Sequence, residues 1–188
     1  MGKLFSGTLL FEGNINISWR AIDTENDRLR CLLHQEDNDD ALAGLAILEE
    51  IPTEASVEHG QYAQELKRLD AKLNIIMSLL ERLLAQSSAN IQSSAVRLNT
   101  QFLQWTETDA GQCPAIGQLL YLEIYLRPGY PRPLLLLGHV LDVDHQDMAR
   151  RISIEIDELP ESTRMALEKF IFRAHRREIA RRRVHKSR

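Results

Sequence analysis

Apolar positions along the chain change their period three times. Between residues 3 and 21 (KLFSGTLLFEGNINISWRA) two short strand-like runs flank Glu12-Gly13-Asn14, with Ile15, Ile17 and Trp19 alternating onto one face. From Thr24 to Leu84 the spacing is helical, with Thr24 as an N-cap ahead of acidic residues and Pro52-Thr53 as punctuation. Residues 91 to 157 return to period two. Val96 and Leu98, then Leu120, Leu122, Ile124 and Leu126, then Ile152, Ile154 and Ile156 each alternate with polar or aromatic neighbours. LLLLGHVLDV lies between the last two runs as a fully apolar strand, and GQCPAIG and RPGYPRP supply turn residues. A final helix carries Pro160 in its first turn and a buried stripe of Leu167, Phe170, Ile171 and Ala174. Successive short strands separated by turns argue for an antiparallel barrel or sandwich, so the fold class is α+β.

The helical stretch contains a stricter pattern. Tyr62, Leu66, Leu69, Leu73, Ile76, Leu80 and Leu83 are spaced 4, 3, 4, 3, 4, 3, a 3.5-residue repeat held for about three heptads. Leu66, Leu73 and Leu80 take the a positions, and Tyr62, Leu69, Ile76 and Leu83 take d. Leucine at a with a β-branched residue at d shifts packing from two strands toward three or four. Met77 and Leu84 at e and Leu79 at g widen the apolar face further. A parallel coiled coil is expected over about 60–87, making the chain a homotetramer, with a trimer as the neighbouring solution.

Composition narrows the function classes. The charge is −4 overall, yet residues 173 to 188 carry eight basic side chains and one acidic, so that end is +7 and the remainder −11. Such a tail fits nucleic acid or an anionic surface. It has no interleaved aromatics beyond Phe172, and an acidic body repels polyanions, so a nucleic-acid-binding regulator stands as an alternative only. Two cysteines, Cys31 and Cys113, are too few for a disulfide framework and fit a reducing cytoplasm. No run is long enough to span a membrane. Met1-Gly2 with Ser6 matches a myristoylation signal only superficially, so no membrane association is expected.

Catalytic and metal chemistry find little support. The acidic string Glu36, Asp37, Asn38, Asp39, Asp40 lacks the glycine and terminal glutamate of a calcium loop and reads as a solvated helix start. His139, Asp142, Asp144, His145 and Asp147 form the only His/Asp cluster, and strict alternation places His139 opposite Asp142 and Asp144. Neither a phosphate loop nor a nucleophile elbow is present. No enzyme, metal or cofactor is expected.

From Asn90 the sequence reads NIQSSAVRL. It resembles the PilZ signature, in which Asp or Asn, any residue, Ser, two residues and Gly lead into an alternating strand. Asn90 matches the first position, while Gln92 stands at the Ser position and Ala95 at the Gly position. The order that follows is also similar to PilZ: an apolar strand with a central glycine, an isoleucine-rich strand, and ELPESTRMALEKFIFRAHRRE as a closing helix. The resemblance implies a six-stranded antiparallel barrel built from residues 1–21 and 88–188, with residues 22–87 as a helical insertion. It further implies a role in cyclic di-GMP signalling, and it is nearest to atypical tetrameric members with a heptad-bearing inserted helix. The family's Arg-x-x-x-Arg segment ahead of the barrel has no counterpart: Arg20, Arg28 and Arg30 are wrongly spaced, and Arg177 and Arg181 lie on the terminal helix. Cyclic di-GMP in the standard mode is therefore not expected at Asn90, Gln92 and Ala95. The reading is a cytoplasmic, non-enzymatic scaffold acting through protein contacts with an unidentified partner in cyclic di-GMP-related control of motility or virulence. A cyclic di-GMP receptor using other residues is the alternative.

Overall fold

A computed structural model describes residues 9–34, 37–49, 92–107, 113–146 and 149–186, with positions 66, 68, 69, 72, 73, 75, 76, 79 and 80 between them. The elements are β1 (Phe11–Ala21), α1 (Glu25–His34), α2 (Asp37–Glu49), β2 (Gln92–Leu98), β3 (Phe102–Glu107), β4 (Leu119–Tyr125), β5 (Leu134–Gln146), β6 (Ala149–Ile156) and α3 (Glu161–Lys186). The six strands close into an antiparallel barrel in the order β1-β2-β3-β6-β5-β4. β1 closes it because it is long enough to serve two partners. Phe11 to Ile17 pair with Leu98 to Gln92, and Asn16 to Ala21 pair with Tyr125 to Leu120.

The expectation of two short runs around Glu12-Gly13-Asn14 is corrected. Those residues lie inside the single strand β1, where Gly13 pairs with Val96. The glycine serves packing and not a turn: a Cβ there would come within 2.9 Å of the Phe11 ring. That ring lies 5.6 Å from Phe170, where α3 meets the barrel. The strand count still reaches six through β3, which the alternation did not single out. Its Leu103 and Trp105 are 0% and 1% exposed in the core.

Inward positions repeat every second residue. Ile15 and Ile17, Val96 and Leu98, Leu120 to Ile124, and Ile152 to Ile156 form one buried cluster with Leu167, Phe170 and Ile171 of α3. The unbroken apolar run in β5 has a different cause: both faces are covered. Leu134 and Leu136 join the barrel core, whereas Leu135 and Leu137 pack outside it with Ile22 and Tyr121. At the barrel end away from Phe11, the Trp19 indole N–H donates to Glu107 Oε1 at 3.3 Å, and Arg150 lies 3.8 Å from the other carboxylate oxygen.

α1 begins as its sequence implies. The Asp27 backbone N–H donates to Thr24 Oγ1 at 3.2 Å, and the Thr24 hydroxyl donates to the Asp27 carboxylate at 2.7 Å. The acidic string does open a helix, α2, but not a solvated one throughout. Asn38 is fully buried, and Asp39 accepts a 2.6 Å hydrogen bond from the Thr163 hydroxyl of α3. α3 starts at Glu161, with Pro160 just ahead of it; the Arg164 N–H donates to the Pro160 carbonyl. Leu167, Phe170 and Ile171 are buried as the stripe requires, and Ala174 is half-buried.

Candidate ligand face

The candidate site is the outer wall of β1, β2, β3 and β6, and the strand register assembles it. Ala95 pairs with Asn14, and Arg97 pairs with Glu12 on β1 and Gln104 on β3. Gln104 pairs onward with Ser153, and Thr106 pairs with Arg151 on β6. Cross-strand partners share a face, so Ala95, Arg97, Gln104, Thr106 and Arg151 surround one shallow depression of about 580 Å³ together with Gly13 and Asn14. The Arg97 guanidinium donates to Glu12 at 2.9 Å, Arg151 lies 3.9 Å from Asp144, and Gln104 donates to Ser153 at 2.9 Å. Both arginines are about 40–45% exposed and each is matched by a carboxylate, so the face offers donors without net positive charge.

The residues of the signature separate in this register. Along β2, Gln92 has the parity of Ser94 and Val96, which are buried, and its backbone pairs with Ile17. Ala95 has the opposite parity and is exposed, with its methyl group where the signature places a bare backbone. Asn90 lies outside the described residues. Arg97 and Arg151 were missed by sequence reading. Alternation from Ala95 reaches Arg97, but Arg151 joins only through long-range pairing.

A second cleft, of about 1040 Å³, lies between the start of β1, the β4–β5 connection and α3. Arg127, Arg177 and Arg181 line it along with Glu12, Glu49 and Glu178. Glu49, at the C-terminal end of α2, is only 5% exposed and is held by Arg173 at 3.1 Å and Arg177 at 2.6 Å. Two guanidinium groups there offset a carboxylate placed at the unfavourable end of a helix dipole. Arg127 donates to the Leu48 carbonyl at 2.8 Å, capping the same terminus. Arg177 is thus committed to the junction of α2 and α3.

The other sequence-derived residues are placed as follows. Leu66, Leu69, Leu73, Ile76 and Leu80 are helical and 65, 55, 59, 52 and 41% exposed, while Tyr62 and Leu83 lie outside the described residues. The alternation assumed for the His/Asp cluster is corrected: a β-bulge between Val140 and Asp142 shifts the parity of β5. His139, Asp142 and Asp144 then pair with Glu155, Ser153 and Arg151 and share one face. His139 Nδ1 is engaged at 3.0 Å with Asp157, which also receives Arg28 at 3.6 Å. Among the described residues no group of three or more His, Cys, Asp or Glu side chains is placed to hold a metal ion, and no helix is long and apolar enough to cross a membrane.

A closed six-stranded antiparallel barrel, a helix seated on one end and a polar depression beside Ala95 define a PilZ-type domain. The chain belongs to the atypical PilZ domain family, described as a cyclic di-GMP receptor, which matches residues 42–184. A pathogenic protein of Xanthomonas campestris, described as a tetrameric PilZ domain self-assembled through a helical bundle, is 23% identical. That similarity covers 95% of this chain and 94% of the other, with a TM-score of 0.70. The Bacillus subtilis inhibitor of motility MotI/DgrA is 16% identical over 47% of this chain and 44% of its own, with a TM-score of 0.38. No curated protein matches the chain.

Proposed function

We propose that this chain is a non-enzymatic PilZ-type scaffold, assembled as a homotetramer through its heptad helix, that acts through protein contacts in cyclic di-GMP-related control of motility or virulence in the cytoplasm. The observation that carries the reading is the exposure of the heptad side chains in the single chain. Leu66, Leu69, Leu73, Ile76 and Leu80 each leave 41% or more of their surface uncovered, and Leu79 leaves 51%. An apolar strip of that size calls for a cover, and burying each leucine in a bundle is worth roughly 1.5–3 kcal/mol. The X. campestris protein described as tetrameric through a helical bundle supports four chains. Light scattering after size exclusion tests the assembly. The parent should run as about four chains and Leu73→Lys/Ile76→Lys as one, because the lysines would sit together in the bundle centre. A parent that runs as a monomer overturns the reading.

A cyclic di-GMP receptor with a non-standard mode is the second reading, favoured by the depression that Arg97 and Arg151 flank. Its weakness is electrostatic. A ligand with two phosphates must displace Glu12 and Asp144 from those arginines before it gains their full charge.

A further inference from the structure

We propose that the solvent side of α3 is a docking face for an acidic amphipathic helix of a partner protein. It specifies the partner of the scaffold reading but rests on different residues from the heptad helix. The inner side of α3 is already used, through Thr163, Leu167, Phe170 and Ile171. On the opposite side Met165, Lys169, Phe172, Arg176 and Ile179 follow one another at spacings of 4, 3, 4 and 3. This is a second 3.5-residue seam, running about 21 Å along the helix. Its apolar members are uncovered: Met165 is 45%, Phe172 52% and Ile179 39% exposed. Beside Met165 and Phe172, a groove of about 660 Å³ runs between α3 and the β2–β3 turn, reaching Leu9 and Ile171. It is a ready socket for an apolar anchor.

The intervening seam positions select the occupant. Arg164 is engaged by Glu161 at 2.6 Å and Glu168 at 2.9 Å. Lys169 and Arg176 have no carboxylate within 4.0 Å among the described residues, and Arg176 lies over the Phe172 ring at 5.9 Å. A cation within an apolar seam restricts which partner fits, because it must be matched by a carboxylate when it is buried. A second copy of α3 would bring lysine and arginine against themselves on an end that is already +7. A membrane-lying helix separates a polar face from a broad apolar one. Here the cations stand between the apolar residues along a single line. Nucleic acid would use the cations and leave Phe172 and Ile179 without purpose. A helix presenting Glu or Asp opposite Lys169 and Arg176, with apolar residues opposite Met165, Phe172 and Ile179, satisfies every seam position.

The test titrates the protein with a labelled synthetic helix of about two heptads, followed by fluorescence anisotropy. This acidic probe carries Leu facing the three apolar positions and Glu facing the two cations; a control probe carries Lys in place of Glu. The acidic probe should saturate the parent. Phe172→Ser/Ile179→Ser and Lys169→Glu/Arg176→Glu should each weaken it by about tenfold or more, a loss of roughly 1.4 kcal/mol. The Lys probe should bind the charge-reversed chain. Single Met165→Gln provides the same loss in milder form should a double variant melt early. Equal binding of the two probes to the parent overturns the proposal. So does undiminished binding to Phe172→Ser/Ile179→Ser, which would mark simple polyanion attraction. Tighter binding to anionic-lipid vesicles than to the probe, lost in the same variants, would assign the face to a membrane. Light scattering on the same samples reads the heptad assembly separately, so the two proposals fail independently.

Discussion

The side-chain amide of Asn38 gives Leu135 both hydrogen bonds that a neighbouring strand would supply. Asn38 Nδ2 donates to the Leu135 carbonyl at 2.8 Å, and the Leu135 N–H donates to Asn38 Oδ1 at 2.7 Å. β6 pairs with β5 only from Gly138 onward, so Leu134 to Leu137 have β4 on one side and no strand on the other. A backbone edge buried at that point costs stability unless its polar groups are matched. α2 provides the match, and Asp39 beside it binds Thr163 of α3. One turn of α2 is therefore tied to both the barrel and α3.

Asn38→Ala orphans two buried backbone groups at once. At roughly 1–3 kcal/mol for each unsatisfied group, the loss should be about 2–6 kcal/mol. Urea denaturation followed by tryptophan fluorescence measures it, with Trp105 and Trp19 as reporters inside or beside the core. A change below about 0.5 kcal/mol would mean that α2 does not complete the sheet edge.

Gly138 marks another close approach. A Cβ at this position would stand 2.5 Å from the Glu155 carbonyl oxygen and 2.9 Å from the Ile154 side chain. Because the first obstacle is backbone, it can give way only by moving β6. Gly138→Ala should destabilise the barrel by about 1–3 kcal/mol, the usual cost of overpacking, read as a lower urea midpoint.

These two residues also show what the sequence disclosed and what it hid. Period two exposed most of the barrel, because Val96 with Leu98, Leu120 to Ile124 and Ile152 to Ile156 alternate cleanly against polar neighbours. The Thr24 cap and the inner stripe of α3 were equally legible, since both are local. β3 escaped because it is short and only two of its apolar residues, Leu103 and Trp105, face the core. Gly13 misled because glycine signals a turn and a crowded strand alike. The bulge at Leu141 reversed a parity argument that assumed a regular strand. Asn38 was hidden in an acidic run, and its partner is 97 residues away. The candidate face divides in the same way. Ala95 could be named from the signature, whereas Arg151 reaches that face only through the β2–β3–β6 register.

Alkaline pH should loosen the fold through two tyrosines. Burial raises the Tyr125 pKa above its ordinary value of 10.0, and the charge and hydrogen bond of Glu123 raise it further. Burial raises Tyr130 too; Arg132 opposes that shift and Asp40 adds to it. The folded chain then keeps phenolic protons that the unfolded chain would release. That stabilisation is fully present below about pH 10 and is lost as pH climbs through the folded-state values. Urea midpoints should fall more steeply above pH 10 for the parent than for Tyr125→Phe/Tyr130→Phe. Identical slopes would show that neither phenol is linked to folding.

Cyclic di-GMP should not bind tightly at the signature position. Ala95 carries a methyl group where the ligand needs bare backbone, Gln92 stands in place of the signature serine, and Arg97 and Arg151 are matched by Glu12 and Asp144. Each missing charge-assisted contact removes roughly 1.5–3 kcal/mol. Two such losses move a micromolar ligand to the millimolar range. Calorimetric titration of the protein should therefore show no saturable binding below about 10 μM, a free energy near −7 kcal/mol. Gln92→Ser/Ala95→Gly alone should not create it, because the two changes add no arginine to clamp the phosphates. Saturable binding would transfer the conclusion to the receptor reading, and two variants would then locate it. Loss on Arg97→Ala/Arg151→Ala would place the ligand on the outer wall. Retention there with loss on Arg181→Ala would place it in the cleft beside α3, where Arg127 and Arg177 are already engaged by Leu48 and Glu49.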